Sequence, residues 1–163
     1  MPWAGRPGRP VDQGPLPPHA ALRDTVAGAS PLAPHTMTLI CIVDDDPSVR
    51  VALGRLVESV GYAVETFASA REFLDSAPLG RAACLVLDVH LVGMNGFELH
   101  ERLLAARAEL PVIFITAHDN PSTRERLRRA RGAAQLFKPI EGQALLDAIH
   151  DAVEMHPGPV EHA

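Results

Sequence analysis

Between Met37 and His156 the chain alternates short, continuously apolar runs with longer stretches in which apolar residues recur every three or four positions. Leu39–Val43 is the first run, and its unbroken apolar character reads as a strand buried on both faces. Asp46 can then cap a helix that opens on Pro47. Val49, Ala52, Leu53, Leu56, Val57 and Val60 follow its 3.6-residue period until Gly61 ends it. Tyr62–Phe67 is a weaker strand, and Ser69 with Glu72 forms a capping box for a helix carrying Phe73 and Leu74. Cys84–Leu87 is the third run, followed by a loop, Asp88–Gly96, and a helix with Leu99, Leu103 and Ala106 inward. Pro111 opens a fourth strand, Val112–Ile115. A polar helix over Pro121–Arg131, a fifth strand at Ala134–Phe137 and a last helix over Glu141–Met155 complete the pattern. Leu145, Ala148, Ile149 and Ala152 line the inner side of that last helix.

Five strand–helix units of this kind predict an α/β domain with a parallel sheet covered on both faces. Right-handed crossovers make that a doubly wound, three-layer sandwich.

Composition adds boundaries. Residues 1–36 hold eight of the fifteen prolines and four of the twelve glycines, without apolar periodicity, and cannot bury enough surface to offset their ordering entropy. Residues 1–37 are therefore expected to be a disordered extension, with Met37 as an alternative start, 38–155 the folded domain, and 156–163 a short polar tail. The formal charge of −5 argues against direct nucleic-acid binding, and no apolar run approaches a membrane span. With no apolar signal region near the N-terminus, a cytoplasmic location is expected. Cys41 and Cys84 lie inside apolar runs and read as buried, reduced thiols.

Ligands of such sheets bind beyond the carboxyl ends of the strands. Asp44, Asp45 and Asp46 follow the first run, Asp88 the third, Thr116 the fourth and Lys138 the fifth. Two carboxylates about 4–5 Å apart repel by roughly 3–4 kcal/mol at an effective dielectric near 20. A proton, Lys138 or a hard cation relieves that cost, and an all-oxygen set selects Mg²⁺ over zinc. Lys138 is the only lysine among fifteen basic residues, so a compact point charge is retained where every other cation is a planar arginine. A carboxylate beside a cation, a hydroxyl and a lysine suits attack on a phosphoryl group.

Ile42-Val43-Asp44-Asp45-Asp46, Leu87-Asp88 with Met94-Asn95-Gly96, Ile115-Thr116-Ala117 and Lys138-Pro139 together resemble the response-regulator receiver domain, in its FixJ-like branch. The resemblance implies a flavodoxin-like sandwich of five strands in the order 2-1-3-4-5. It implies Asp88 as phosphoacceptor, charged by a histidine kinase or histidine phosphotransfer protein. Mg²⁺ would be held by Asp45 directly, by Asp44 through water, by Asp88 and by the backbone carbonyl of His90. Thr116 would move towards the phosphoryl group, small Ala117 would leave access to it, and Lys138 would bind a phosphoryl oxygen, with a cis Lys138–Pro139 bond. The expected role is signalling rather than enzymatic, in a stand-alone receiver acting on a downstream protein through contacts. The first helix, around Val49 and Leu53, is the expected kinase-docking face.

Several positions depart from the family pattern. Val92 stands where a proline is usual, and Gln135 where an aromatic ring commonly couples to the threonine. Arg131-Gly132-Ala133 is displaced by one residue from the usual small triplet. The fourth helix carries Arg124, Arg126, Arg128, Arg129 and Arg131, either a solvated charged face or a docking or homodimer surface. His90 and His118 flank the rim at places that tune loss of the phosphoryl group; bland rim residues and a transition-metal site are the other readings. Two rivals to the leading function are a haloacid-dehalogenase-type phosphatase, from the fit of Asp44-Asp45-Asp46-Pro47-Ser48 to its nucleophile motif, and a pseudo-receiver adaptor that is not phosphorylated.

Overall fold

The computed structural model describes residues 37–76, 79–131 and 134–156. The expected extension over 1–36, most of the C-terminal tail and the displaced Gly132-Ala133 lie outside those residues. Five strands alternate with five helices: β1 (Leu39–Val43), α1 (Pro47–Ser59), β2 (Ala63–Phe67), α2 (Ala70–Ser76), β3 (Ala82–Asp88), α3 (Gly96–Ala105), β4 (Val112–Thr116), α4 (Pro121–Ala130), β5 (Ala134–Phe137) and α5 (Gly142–Met155). All strand pairs are parallel and the sheet order is β2-β1-β3-β4-β5, as expected.

The alternation of side chains along the inner strands divides the core in two. Cys41, Val43, Leu85, Leu87 and Phe114 face one way, against Phe73 of α2, Leu99 and Leu103 of α3 and Leu127 of α4. Ile40, Ile42, Cys84, Val86, Ile113 and Ile115 face the other way, against Leu53 and Val57 of α1 and Leu145 and Ile149 of α5. Cys41 and Cys84 thus lie on opposite faces of the sheet, and burial pushes both thiols up to about 12, which keeps them protonated and inert.

The sequence pattern needs correction at several edges. Ala52, Val60 and Ala106 are exposed, and Gly54 is buried instead, because α1 rests on a narrow strip of sheet and α3 ends one residue before Ala106. Tyr62 precedes β2, Glu141 is the N-cap of α5 rather than its first residue, and Arg131 terminates α4 in the left-handed conformation. At α2 Ser69 caps Glu72 as expected, but the Glu72 carboxylate accepts from Ala68 N rather than from the cap itself. Among the described residues no helix is long and apolar enough to cross a membrane.

One core residue is titratable. His100 of α3 is 6 % exposed and sets the Phe114 ring edge-on at 5.2 Å. Burial lowers its pKa below the usual imidazole value, so it is neutral in the fold. A base whose folded pKa is depressed supports the fold above its unfolded pKa and loses that support as pH falls through it. The thermal midpoint of wild type is therefore expected to fall relative to His100→Leu between pH 7.5 and pH 5, by several degrees. Parallel pH profiles would show that His100 does not titrate against the core.

Candidate functional site

The carboxyl ends of β1, β3, β4 and β5 meet at one edge of the sheet. Asp88 and Thr116 are the last residues of β3 and β4, one position deeper than a reading of them as following residues suggests. Lys138 follows β5 directly, and its N–H donates to the Thr116 carbonyl at 2.8 Å. The Lys138–Pro139 bond is cis, as the resemblance implied.

Asp44 is the fixed point of this edge. It is fully buried, and each of its polar atoms has a partner. Its N–H donates to the Phe67 carbonyl at 3.1 Å and its Oδ1 accepts from Asp46 N at 2.9 Å. Lys138 Nζ donates to Oδ2 at 3.1 Å, and Arg50 Nη1 donates to the backbone carbonyl at 2.8 Å. Asp45 is exposed, while the Asp46 carboxylate accepts from Ser48 N and caps α1.

Asp88 is 3 % exposed and lies across from Asp44. Its Oδ1 accepts from His90 N at 3.1 Å and its Oδ2 stands 3.5 Å from Lys138 Nζ, so the ammonium sits between two carboxylates but closer to Asp44. Burial, followed by the charge of Asp44, pushes the Asp88 carboxyl up to about 6 even though Lys138 and the His90 N–H pull it down. Burial alone would lower Lys138; the hydrogen bond to Asp44 and the charges of Asp88 and Asp44 outweigh it, and its pKa is raised. Lys138 is thus a permanent cation here.

Carboxylate oxygens of Asp44, Asp45 and Asp88 lie within 4.8 Å of one another, an all-oxygen donor set that fits a hard divalent cation. Thr116 is buried, and its Oγ1 accepts from His118 N at 3.0 Å, leaving the hydroxyl hydrogen free to donate. Ala117 is exposed beside it. The His90 and His118 rings meet with centroids 4.1 Å apart. Burial and the positive charges of His118, Lys138 and Arg126 lower the His90 pKa.

Gln135 is exposed on β5, opposite Phe114 in register. The ring on that face is Phe137, two residues later, paired in register with Thr116 and overlaid by the Arg124 guanidinium at 5.6 Å. On α4, Arg124 pairs with Asp119, and Arg128 and Arg129 with Glu125. Arg126 instead lies 4.3 Å over the Phe97 ring, beside a 620 Å³ crevice that reaches His90 and Asn95.

One contributor, Arg50, was missed in the sequence, and a second, Gly96, was read there only as part of the Met94-Asn95-Gly96 motif. Arg50 is signalled only by its place one turn after the acidic trio. Gly96 is required by the approach of α3 to β3, since a Cβ there would stand 2.5 Å from the Asp88 carbonyl and 2.9 Å from Val89 Cα. Its N–H donates to the Val89 carbonyl at 2.9 Å, and Asn95 and Glu98 close a full capping box, which together fix the loop carrying His90.

A doubly wound parallel sheet with three carboxylates, one ammonium and one hydroxyl at its carboxyl edge defines the receiver class of two-component signalling. The response regulator receiver domain family matches residues 40–150, and the chain belongs to it. Nodulation protein W of Bradyrhizobium diazoefficiens is 42% identical over 122 residues, 73% of this chain and 52% of that protein. The transcriptional regulatory protein FixJ of the same organism is 32% identical, over 70% of this chain and 56% of its own length. Among solved structures, response regulator StyR aligns with a TM-score of 0.70 at 41% identity, over 75% of this chain and 62% of that one. FixJ-N aligns with a TM-score of 0.68 at 30% identity, covering 78% of this chain and 100% of that one. The chain spans about half the length of the curated relatives it matches. Receivers of this family are signalling domains that interact with histidine kinases. The phosphatase alternative falls with this assignment.

The strain at Asp88 has a thermodynamic signature. A carboxyl whose folded pKa is raised binds more protons folded than unfolded, so it weighs on stability above pH 6 and is relieved as pH falls towards 4. Without divalent cation, Asp88→Asn is expected to stabilise the fold at pH 8 by about 1–2 kcal/mol, discounted for solvent screening, with the gain closing by pH 4. Equal thermal midpoints at pH 8 would remove the repulsion from the account.

Proposed function

We propose that the chain is the phosphoryl-accepting receiver of a two-component relay, with Asp88 as acceptor and residues 38–155 as the working domain flanked by 1–37 and 156–163. One observation carries this reading: a single ammonium, on Lys138, is set between Asp44 and an Asp88 carboxyl that burial holds near pH 6. At neutral pH Asp88 is mostly ionised yet incompletely neutralised, which suits a nucleophile rather than a structural ion pair.

A carboxylate oxygen of Asp88 attacks the phosphorus of a donor phosphohistidine. The new O–P bond forms as the P–N bond breaks, and the bonding pair leaves with the imidazole nitrogen, which takes a proton from solvent. Lys138, already turned to Asp88 Oδ2, follows a phosphoryl oxygen. The Thr116 hydroxyl donates its free hydrogen to another, while the His90 N–H holds Asp88 Oδ1 in place. Exposed Ala117 leaves the approach open. Asp44, Asp45, Asp88 and the carbonyl of His90 are the groups that would hold Mg²⁺, which supplies charge neutralisation for the phosphoryl oxygens when bound. The intact set of acids, hydroxyl and amine favours this over the pseudo-receiver reading.

The donor is a histidine kinase or histidine phosphotransfer protein, acting in the cytoplasm, with α1 as docking face. Output passes to a downstream protein through contacts, with the arginine-rich α4 as the candidate surface for that partner or a second copy. With Gln135 exposed, the ring able to feel Thr116 is Phe137 rather than the residue at the usual place.

Acetyl phosphate with Mg²⁺ is expected to label the domain once, hydroxylamine to release the label, and Asp88→Asn to abolish it; labelling that survives Asp88→Asn contradicts the assignment. The rings of His90 and His118 meet beside the rim that carries Asp88 and Thr116, so replacing both with alanine is expected to change the lifetime of the phosphorylated form several-fold. An unchanged lifetime, measured by loss of ³²P label, would make the two imidazoles bystanders.

A further inference from the structure

The β1–α1 turn contains a cation that the phosphoryl chemistry does not use. Arg50 lies in the first turns of α1, half-buried, and its side chain adds a bond to the turn beyond the ordinary helical one from its backbone. Its N–H donates to the Asp46 carbonyl at 3.0 Å, and its guanidinium Nη1 donates to the Asp44 carbonyl at 2.8 Å. Three carboxylates stand within six residues of it, yet among the described residues Arg50 forms no ion pair. The guanidinium is thus committed to a neutral backbone oxygen at the point where β1 turns into the acidic trio. It supplies the one partner of Asp44 that is both a side chain and local to the turn, since Lys138 reaches in from β5.

We propose that Arg50 is a positioning residue for the divalent-cation site: by holding the Asp44 carbonyl it fixes the Asp44–Asp46 turn so that the exposed Asp45 carboxylate stays aimed at Asp88. This rests on the reading of Asp44, Asp45 and Asp88 as the cation site. A group that would not itself touch the cation thereby orients the residues that would. Electrostatics and positioning then predict opposite signs for loss of the guanidinium. Removing a positive charge near a cation site, by itself, tightens cation binding. Releasing the turn weakens it.

Magnesium chloride titrated into wild type, Arg50→Gln and Arg50→Lys by isothermal calorimetry separates the two. Arg50→Gln is expected to bind Mg²⁺ about tenfold more weakly than wild type, the loss typical of an outer-shell partner. Arg50→Lys, which keeps the charge and a donor but loses the planar reach, is expected to fall between them. Acetyl phosphate labelling of Arg50→Gln should need correspondingly more Mg²⁺ and then reach the wild-type maximal rate, because Asp88, Thr116 and Lys138 are untouched. Mg²⁺ affinity unchanged or increased in Arg50→Gln overturns the proposal, as does a lower maximal rate at unchanged affinity. Wild type that binds no Mg²⁺ overturns the cation-site reading itself and this proposal with it.

Discussion

The arrangement of this domain turns on one ammonium between two buried carboxylates. Asp44 directly follows β1 and Asp88 ends the neighbouring parallel strand β3, and the sheet brings them side by side whatever their mutual repulsion. Lys138, at the end of β5, reaches both, at 3.1 Å and 3.5 Å. The inequality matters. Asp44 has every polar atom engaged and behaves as part of the framework, whereas Asp88 is held by one N–H and a long contact to Lys138, and burial keeps its acidity low. The site therefore leaves the buried Asp88 carboxylate less fully neutralised than Asp44.

The fold supplies this without dedicated machinery. Two apolar faces on the inner strands clamp the sheet between α1 and α5 on one side and α2, α3 and α4 on the other, so the strand ends are set by core packing. Only short segments beyond those ends need shaping. Asp46 caps α1 while its own N–H ties down Asp44, and the Asn95–Glu98 box with glycine at 96 holds the loop that carries His90. Local caps thus do double duty as supports of the site.

Most of this was legible in the sequence because parallel strands buried on both faces are short unbroken apolar runs, and the polar residue that ends each run marks the rim. Asp44, Asp88, Thr116 and Lys138 could be placed on that ground alone. The helix margins were less legible: Ala52, Val60 and Ala106 keep the apolar period, but small or terminal positions lie outside the narrow strip that touches the sheet. Arg50 and Gly96 carry no periodic signal, since one acts through a side-chain-to-carbonyl bond and the other through absence of a Cβ. Gln135 was visible as a departure, but that Phe137 takes the place beside Thr116 depends on strand register, which no single-chain pattern encodes.

Beryllofluoride, a tetrahedral phosphoryl mimic when joined to a carboxylate, probes the pocket without any donor protein. Fluorine-19 NMR of the domain with beryllofluoride and Mg²⁺ is expected to show bound resonances in slow exchange, dependent on Mg²⁺ and lost on substitution of Lys138 by methionine. Absence of bound resonances in wild type, or their persistence without Lys138, would contradict the claim that this ammonium and its two acids form the reacting centre.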